Sequence, residues 1–285
     1  MFKHILVPVD FSEQCQLIRP HVVELARQFN AKVTLLHVVP LPAVWYGGAE
    51  GGYGVLFDVP AMESAAKEEL RKFLDCRDLK VDTAVQTGEP AYVIASFAAK
   101  NDVDLIMMPT HGFGVFRSLL LGSVVAKVLH DAKCSVWTAA HVQNLPVGAT
   151  LSPGGKMLCA VDFARSSAPL VRRACEIAKT FGARLTLLHA VPLITSSEPG
   201  ADIALRQTLI QAARESLAKL QHEAGTTLDA LVDEGSIANV TRKATEYGDV
   251  RMLIIGRGHI NQAFGRLRSS TYQIIRSSRC PVLSL

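Results

Sequence analysis

The segment Ile5-Leu6-Val7-Pro8-Val9-Asp10-Phe11 returns later in the chain as Met157-Leu158-Cys159-Ala160-Val161-Asp162-Phe163. At the same offset, Thr34-Leu35-Leu36-His37-Val38-Val39-Pro40 returns as Thr186-Leu187-Leu188-His189-Ala190-Val191-Pro192. About fourteen of the thirty-six positions paired between residues 5 and 40 and their counterparts are identical. The repeat is far longer than a solenoid module, so each copy can hold a core of its own. A chain of 285 residues suits two such domains, here 1–141 and 156–285 with a Pro- and Gly-containing linker at 142–155.

Within the first copy, strand-like and helix-like segments alternate. Residues 4–9 and 32–39 are apolar runs of strand length. Ile18, Val22, Leu25 and Phe29 lie on one helical face, with Ser12 as the N-cap and Pro20 forcing a kink or a late start. A loop with Gly47, Gly48, Gly51, Gly52 and Gly54 follows, carrying Trp45, Tyr46, Tyr53 and Phe57; it reads as a flexible connection, with a lid as the alternative. Helices are expected at 61–74, 90–100 and 122–130, and strands at 81–86, 104–108 and 134–139. The second copy repeats the order, with strands near 157–161, 184–191, 227–232, 251–255 and 282–285. Apolar strands alternating with helices specify a parallel sheet covered on both faces. Ligands in such sheets sit beyond the carboxyl ends of the strands. Here those ends are Pro8-Val9-Asp10, His37-Val38-Val39 and Pro109 onward.

Composition excludes several classes. The net charge of +4 does not call for a nucleic acid or membrane partner, and no run is long and apolar enough for a membrane span. The start of the chain does not read as a signal peptide. The six cysteines lack a Cys-x-x-Cys spacing and read as small hydrophobes in a reducing cytoplasm. There is no Walker loop, no dinucleotide fingerprint after the first strand, no Gly-x-Ser-x-Gly elbow and no His-Glu-x-x-His. The expectation is therefore a binding protein rather than an enzyme, with no catalytic or metal-ligating set.

The informative loop is Pro109-Thr110-His111-Gly112-Phe113-Gly114 through Leu121 to Gly122-Ser123-Val124. Gly112 allows close backbone approach, and Gly122-Ser123 stand at a helix start, where free N–H groups and the dipole favour phosphate. An ordinary glycine turn with Ser123 as N-cap is the alternative. His111 reads either as a donor to an anion or as a surface histidine. Asp10 and Asp162 either bind a ligand group or cap the following turn. His37 and His189, recurring in both copies, suggest a shared structural hydrogen bond.

The spacing of Gly112 to Gly122-Ser123, nine residues between them, resembles the universal stress protein family, as do the Val-Asp and Leu-Leu-His strand ends and the closing Cys280-Pro281-Val282. The resemblance spans nearly all of both copies. It implies two flavodoxin-like or Rossmann-like domains, each a five-stranded parallel sheet of order 3-2-1-4-5. It also implies pairing of the domains through their last strands, with a further homodimer open to the tandem chain. For function it implies a cytoplasmic stress-response protein that binds adenine nucleotide. Carried over, Val9, Asp10 and Val38 border the nucleoside of ATP, and Pro109, Gly112, Gly122, Ser123 and Val124 the ribose and phosphates, with Mg²⁺ accompanying ATP. Two departures stand out. Pro109 replaces the first motif glycine and removes an N–H donor. In the second copy Gly256 is kept, His259 replaces the next glycine, and Arg268-Ser269 or Ser269-Ser270 replaces Gly-Ser, so that site reads as degenerate, although Arg257, Arg266 and Arg268 keep it basic. A non-binding scaffold and a slow hydrolase using Asp10 or His111 are the remaining readings.

Overall fold

The computed structural model describes residues 1–40, 58–74, 76–112, 121–140, 155–194, 201–246, 249–257 and 269–285. The expectations for the glycine loop with Trp45, Tyr46, Tyr53 and Phe57, for residues 142–154, and for His259, Arg266 and Arg268 fall outside them. The chain divides into two units, 1–137 and 138–285.

In the first unit the elements are β1 (His4–Pro8), α1 (Glu13–Leu17), α2 (Arg19–Phe29), β2 (Lys32–Val39), α3 (Val59–Phe73), β3 (Val81–Thr87), α4 (Pro90–Lys100), β4 (Leu105–Pro109), α5 (Ser123–Asp131) and β5 (Ser135–Ala139). The sheet order is β3-β2-β1-β4-β5, as the family resemblance implied. β1 pairs in parallel with β2 and β4, Leu6 lying opposite Thr34 and Ile106. Central strands bury both faces: Ile5, Leu6, Val7, Leu105, Ile106 and Met107 are fully inaccessible. Edge strand β3 is mostly half-buried or exposed.

The expected helix after β1 is two helices. Ser12 caps α1, its Oγ accepting the Cys15 amide at 3.2 Å. The chain then breaks at Ile18, because Pro20 has no N–H to donate to the turn before it, and α2 restarts with that proline in its first turn. Other helix starts also satisfy their orphan amides. Asp58 caps α3. Glu89 caps α4, accepting from Ala91 N at 3.2 Å and Tyr92 N at 2.8 Å.

The second unit repeats the plan with β6 (Lys156–Ala160), α6 (Ser167–Thr180), β7 (Arg184–Val191), α7 (Ala201–Ala224), β8 (Asp229–Glu234), α8 (Ile237–Glu246), β9 (Val250–Ile255), α9 (Ser269–Ser277) and β10 (Val282–Ser284). Its order is β8-β7-β6-β9-β10. Here the first helix is continuous, since the proline, Pro169, falls within the first turn of α6, where its missing N–H would be unsatisfied anyway. β8 runs two residues later than the alternation suggested, an edge strand whose exposed Asp229, Ala230 and Leu231 give the hydrophobic pattern little hold. Among the described residues no helix is long and apolar enough to cross a membrane.

The Glu89 cap yields a pH signature. Burial pushes its pKa up, but the amides of Tyr92 and Ala91 and the Lys127 ammonium, 3.0 Å away, together hold the carboxyl below the ordinary glutamate value. A depressed folded value means that the contribution is complete above the unfolded pKa and fades as the pH falls through the folded one. Glu89→Gln should cost about 1 kcal/mol at neutral pH by urea denaturation, and the gap between variant and wild type should close under acid conditions.

Candidate functional site

At the carboxyl end of the first unit's sheet the strand ends are clamped together. Val9 N donates to Leu36 O at 2.8 Å, and His37 Nδ1 donates to Val9 O at 2.7 Å. Because a carbonyl can only accept, Nδ1 carries the proton. The next residue but one, Phe11, adopts a left-handed backbone (φ 63°) and lays its ring on His37, centroids 4.7 Å apart. That conformation costs a non-glycine residue about 1–2 kcal/mol, so the surroundings hold it in place. The second unit builds the same clamp: His189 Nδ1 to Val161 O at 2.8 Å, with Phe163 (φ 59°) stacked at 4.2 Å. The recurrent histidines thus share a structural hydrogen bond.

The clamp turns Asp10 over the strand ends. Its Oδ1 accepts from Ser12 N at 3.0 Å and Ser12 Oγ at 2.6 Å, capping the turn. Oδ2 reaches the loop after β4, where a Cβ built on Gly112 would lie 2.0 Å from it. Gly112 is thus required by its contact with Asp10, whatever else it does. Below Asp10 lies Cys15, buried, its Sγ donating to Pro8 O at 3.4 Å. Burial, reinforced by the Asp10 charge, pushes this thiol up to about 12, so it is an inert floor and not a nucleophile.

The start of α5 differs from the capped helices. Gly122 N donates to Thr110 O at 2.9 Å, and the first helical bond is Ala126 N to Gly122 O. Gly122 has no side chain to cap the turn. Among the described residues, the amides of Ser123, Val124 and Val125 therefore find no acceptor, and they stand at the positive end of the helix dipole.

All eight sequence-selected residues, Val9, Asp10, Val38, Pro109, Gly112, Gly122, Ser123 and Val124, line one cavity of about 710 Å³. This lies within the range of small-molecule sites. Further walls are Leu36, Pro40, Pro90, Ile94 and Met108, apolar residues whose role the loop motif gave no means of seeing. The described lining contains Asp10 but no lysine or arginine. Pro109 is buried in the wall at the end of β4. His111 lines the cavity but turns Nδ1 onto Thr110 Oγ1 at 2.8 Å, and its Nε2 is shut off from solvent without a partner among the described residues. Among the described residues no group of three His, Cys, Asp or Glu side chains is placed to hold a metal ion.

In the second unit the corresponding cavity measures about 100 Å³. Asp162 caps its turn through Ala164 N at 3.1 Å and Ser167 Oγ at 3.2 Å. Leu170 and Ile237 crowd the space, and Leu170 Cδ2 lies 3.3 Å from where a Gly256 Cβ would be.

A model of the universal stress protein family matches residues 1–139 and again 155–285. A universal stress protein of Methanocaldococcus jannaschii is 31% identical over 137 residues, 48% of this chain and 81% of the relative. One from Coxiella burnetii, a universal stress protein A homolog, is 32% identical over 143 residues, 47% of this chain and 94% of the relative. A crystal structure of a universal stress protein from Archaeoglobus fulgidus superposes with a TM-score of 0.68 at 20% identity, covering 99% of this chain and 95% of that one, which bears on the fold alone.

The steric asymmetry between the units is measurable. Gly112→Ala should destabilise the chain by about 1–3 kcal/mol by overpacking against Asp10, and combining it with Asp10→Gly should cost clearly less than the sum of the two single losses. Gly256→Ala, which meets only the end of a flexible leucine, should cost less than about 1 kcal/mol in the same denaturation assay.

Proposed function

The chain belongs to the universal stress protein family, and we propose that its first unit binds an adenine nucleotide, ATP with its magnesium, as a cytoplasmic stress-response protein whose second site has degenerated. The observation that carries this reading is the uncapped α5 start facing a cavity of about 710 Å³. Three amides on a helix N-terminus suit a phosphate group, and the apolar walls from Val9, Val38 and Ile94 suit a flat base. The site holds rather than turns over its ligand. The two candidate bases are partly engaged, Asp10 Oδ1 accepting from Ser12 Oγ and His111 Nδ1 meeting Thr110 Oγ1, which supports holding over turnover.

A scaffold that binds no nucleotide is the second reading. Pro109 favours it, removing a backbone donor from the loop, as does the absence of a cationic side chain in the described lining.

Titration calorimetry of the full chain with ATP and magnesium separates the two. The expected outcome is saturable heat with a rise in unfolding temperature, since ligand at a hundred times Kd stabilises by about 2.7 kcal/mol. Gly122→Val crowds Thr110 O, already 3.2 Å from a Cβ at that position, and should abolish the heat while the circular dichroism spectrum is kept. Neither heat nor thermal shift at millimolar ATP would establish the scaffold.

A further inference from the structure

The opposite edge of the second unit carries an unassigned charge pattern. From residue 250 to residue 285 there are six arginines and no aspartate or glutamate. The strand order places the starts of β10, β9, β6 and β7 side by side. Arg279 precedes β10, Arg251 is second in β9, Lys156 opens β6 and Arg184 opens β7. Lys156 and Arg184 are direct register partners, and Val250 pairs with Lys156. Val282 pairs with Leu253, which sets Arg279, three residues earlier, level with Val250. With strands about 4.8 Å apart, the backbones that carry the four cations span about 15 Å, Arg251 falling at a register shift between β9 and β6.

None of the four side chains has an ion-pair partner among the described residues. The carboxylates of this unit that form pairs serve other cations: Glu176 with Arg173, Glu234 with Arg206, Glu246 with Arg242, Asp233 with Lys243. Only Asp249 and Asp229 stand at the same strand starts. Arg251 is also held in place. Gly155 leaves room for its stem, since a Cβ there would fall 2.5 Å from Cγ and 2.9 Å from Nε. Its Nε is buried without a partner.

The first unit shows how such an edge is neutralised from within. Asp104-Leu105-Ile106-Met107-Met108 aligns with Arg251-Met252-Leu253-Ile254-Ile255. Asp104 Oδ2 accepts the amides of Lys3 at 2.7 Å and His4 at 3.0 Å. Nearby, Lys32 meets Asp82 and Arg27 meets Asp78, each at 2.7 Å. At the equivalent place in the second unit the carboxylate of Asp104 has become Arg251, while Asp229, in the register of Asp82, and Asp249 remain at the strand starts and form no ion pair with these four cations among the described residues.

We propose that this edge is a docking surface for an acidic polypeptide segment, whose Asp and Glu side chains pair with the four cations that the unit's own acids leave unpaired. Arginine's planar fork matches a carboxylate in two parallel hydrogen bonds. Nucleic acid fits less well. No aromatic residue opens any of these four strands to stack a base, and four cations fall short of the roughly six to ten phosphate contacts of a duplex binder.

The test is fluorescence anisotropy of a labelled polyglutamate peptide of about ten residues with the full chain. Saturable binding is expected at about 50 mM salt, weakening at least about tenfold at about 300 mM. The double variant Arg184→Glu/Arg279→Glu changes two exposed side chains and should weaken binding at least about tenfold. Arg251→Gln, which keeps the stem over Gly155, should also weaken it. Arg214→Glu, an exposed reversal on α7, should leave affinity unchanged. Absence of saturable binding, an equal loss in Arg214→Glu, or an oligonucleotide of equal charge that displaces the peptide at a lower concentration than unlabelled peptide does would overturn the assignment.

Discussion

The hydrogen bond from a histidine Nδ1 to the carbonyl of the valine after the first strand is the constraint on which both units depend. It ties the ends of β1 and β2, or β6 and β7, where the ladder between them stops. It also fixes where the chain leaves the sheet. The phenylalanine that follows is held in a left-handed conformation against the histidine ring in both units. The backbone thereby reverses sharply enough for the aspartate between them to cap the next turn. A cost of about 1–2 kcal/mol for that conformation is tolerable only because stacking, turn cap and clamp act together. Its presence in a unit with a large cavity and in one with almost none marks it as part of the frame.

On that common frame, small residues decide whether space exists. The first unit has Pro90 where the second has Ile237, and Ile18, at the break between α1 and α2, where the second has Leu170 inside a continuous helix. The break follows from Pro20 and the continuity from a proline placed in the first turn instead. The large cavity is thus a consequence of helix geometry as well as of the glycine loop. Gly112 belongs to the same reasoning. Its lack of a side chain lets the loop after β4 close onto Asp10, which shapes the rim before any ligand is considered.

Much of this was legible in the residues. The internal repeat gave the domain count, apolar alternation gave the ten strands to within two residues, and Pro20 announced the helix break. The shared histidines were readable as structural because a clamp needed by the fold recurs wherever the fold does. The eight residues that the family resemblance implied do line one cavity, since strand ends on one side of a sheet share one rim. The apolar walls from Pro90, Ile94 and Leu36 were not legible, because core-facing residues of a helix and a strand look alike whether they meet protein or empty space. Nor was the turning of His111 onto Thr110, which depends on a side-chain rotamer. Half of the expectation that the cysteines are buried hydrophobes needs correction. Cys15, Cys159 and Cys280 are buried, while Cys76, Cys134 and Cys175 are only partly so.

The charge at the second unit's lower edge was hidden for a different reason. Arg184, Lys156, Arg251 and Arg279 are far apart in sequence and become neighbours only through parallel pairing. A net charge of +4 spread over 285 residues conceals them, because the first unit holds its acids beside its cations at the same edge. Duplication supplied two copies of one sheet with two edges each. The exchange of Asp104 for Arg251 alters the edge at the strand starts, and the exchange of Pro90 and Ile18 for Ile237 and Leu170 alters the edge at the strand ends. Neither touches the histidine clamp, so each edge diverged without disturbing the frame that holds the other.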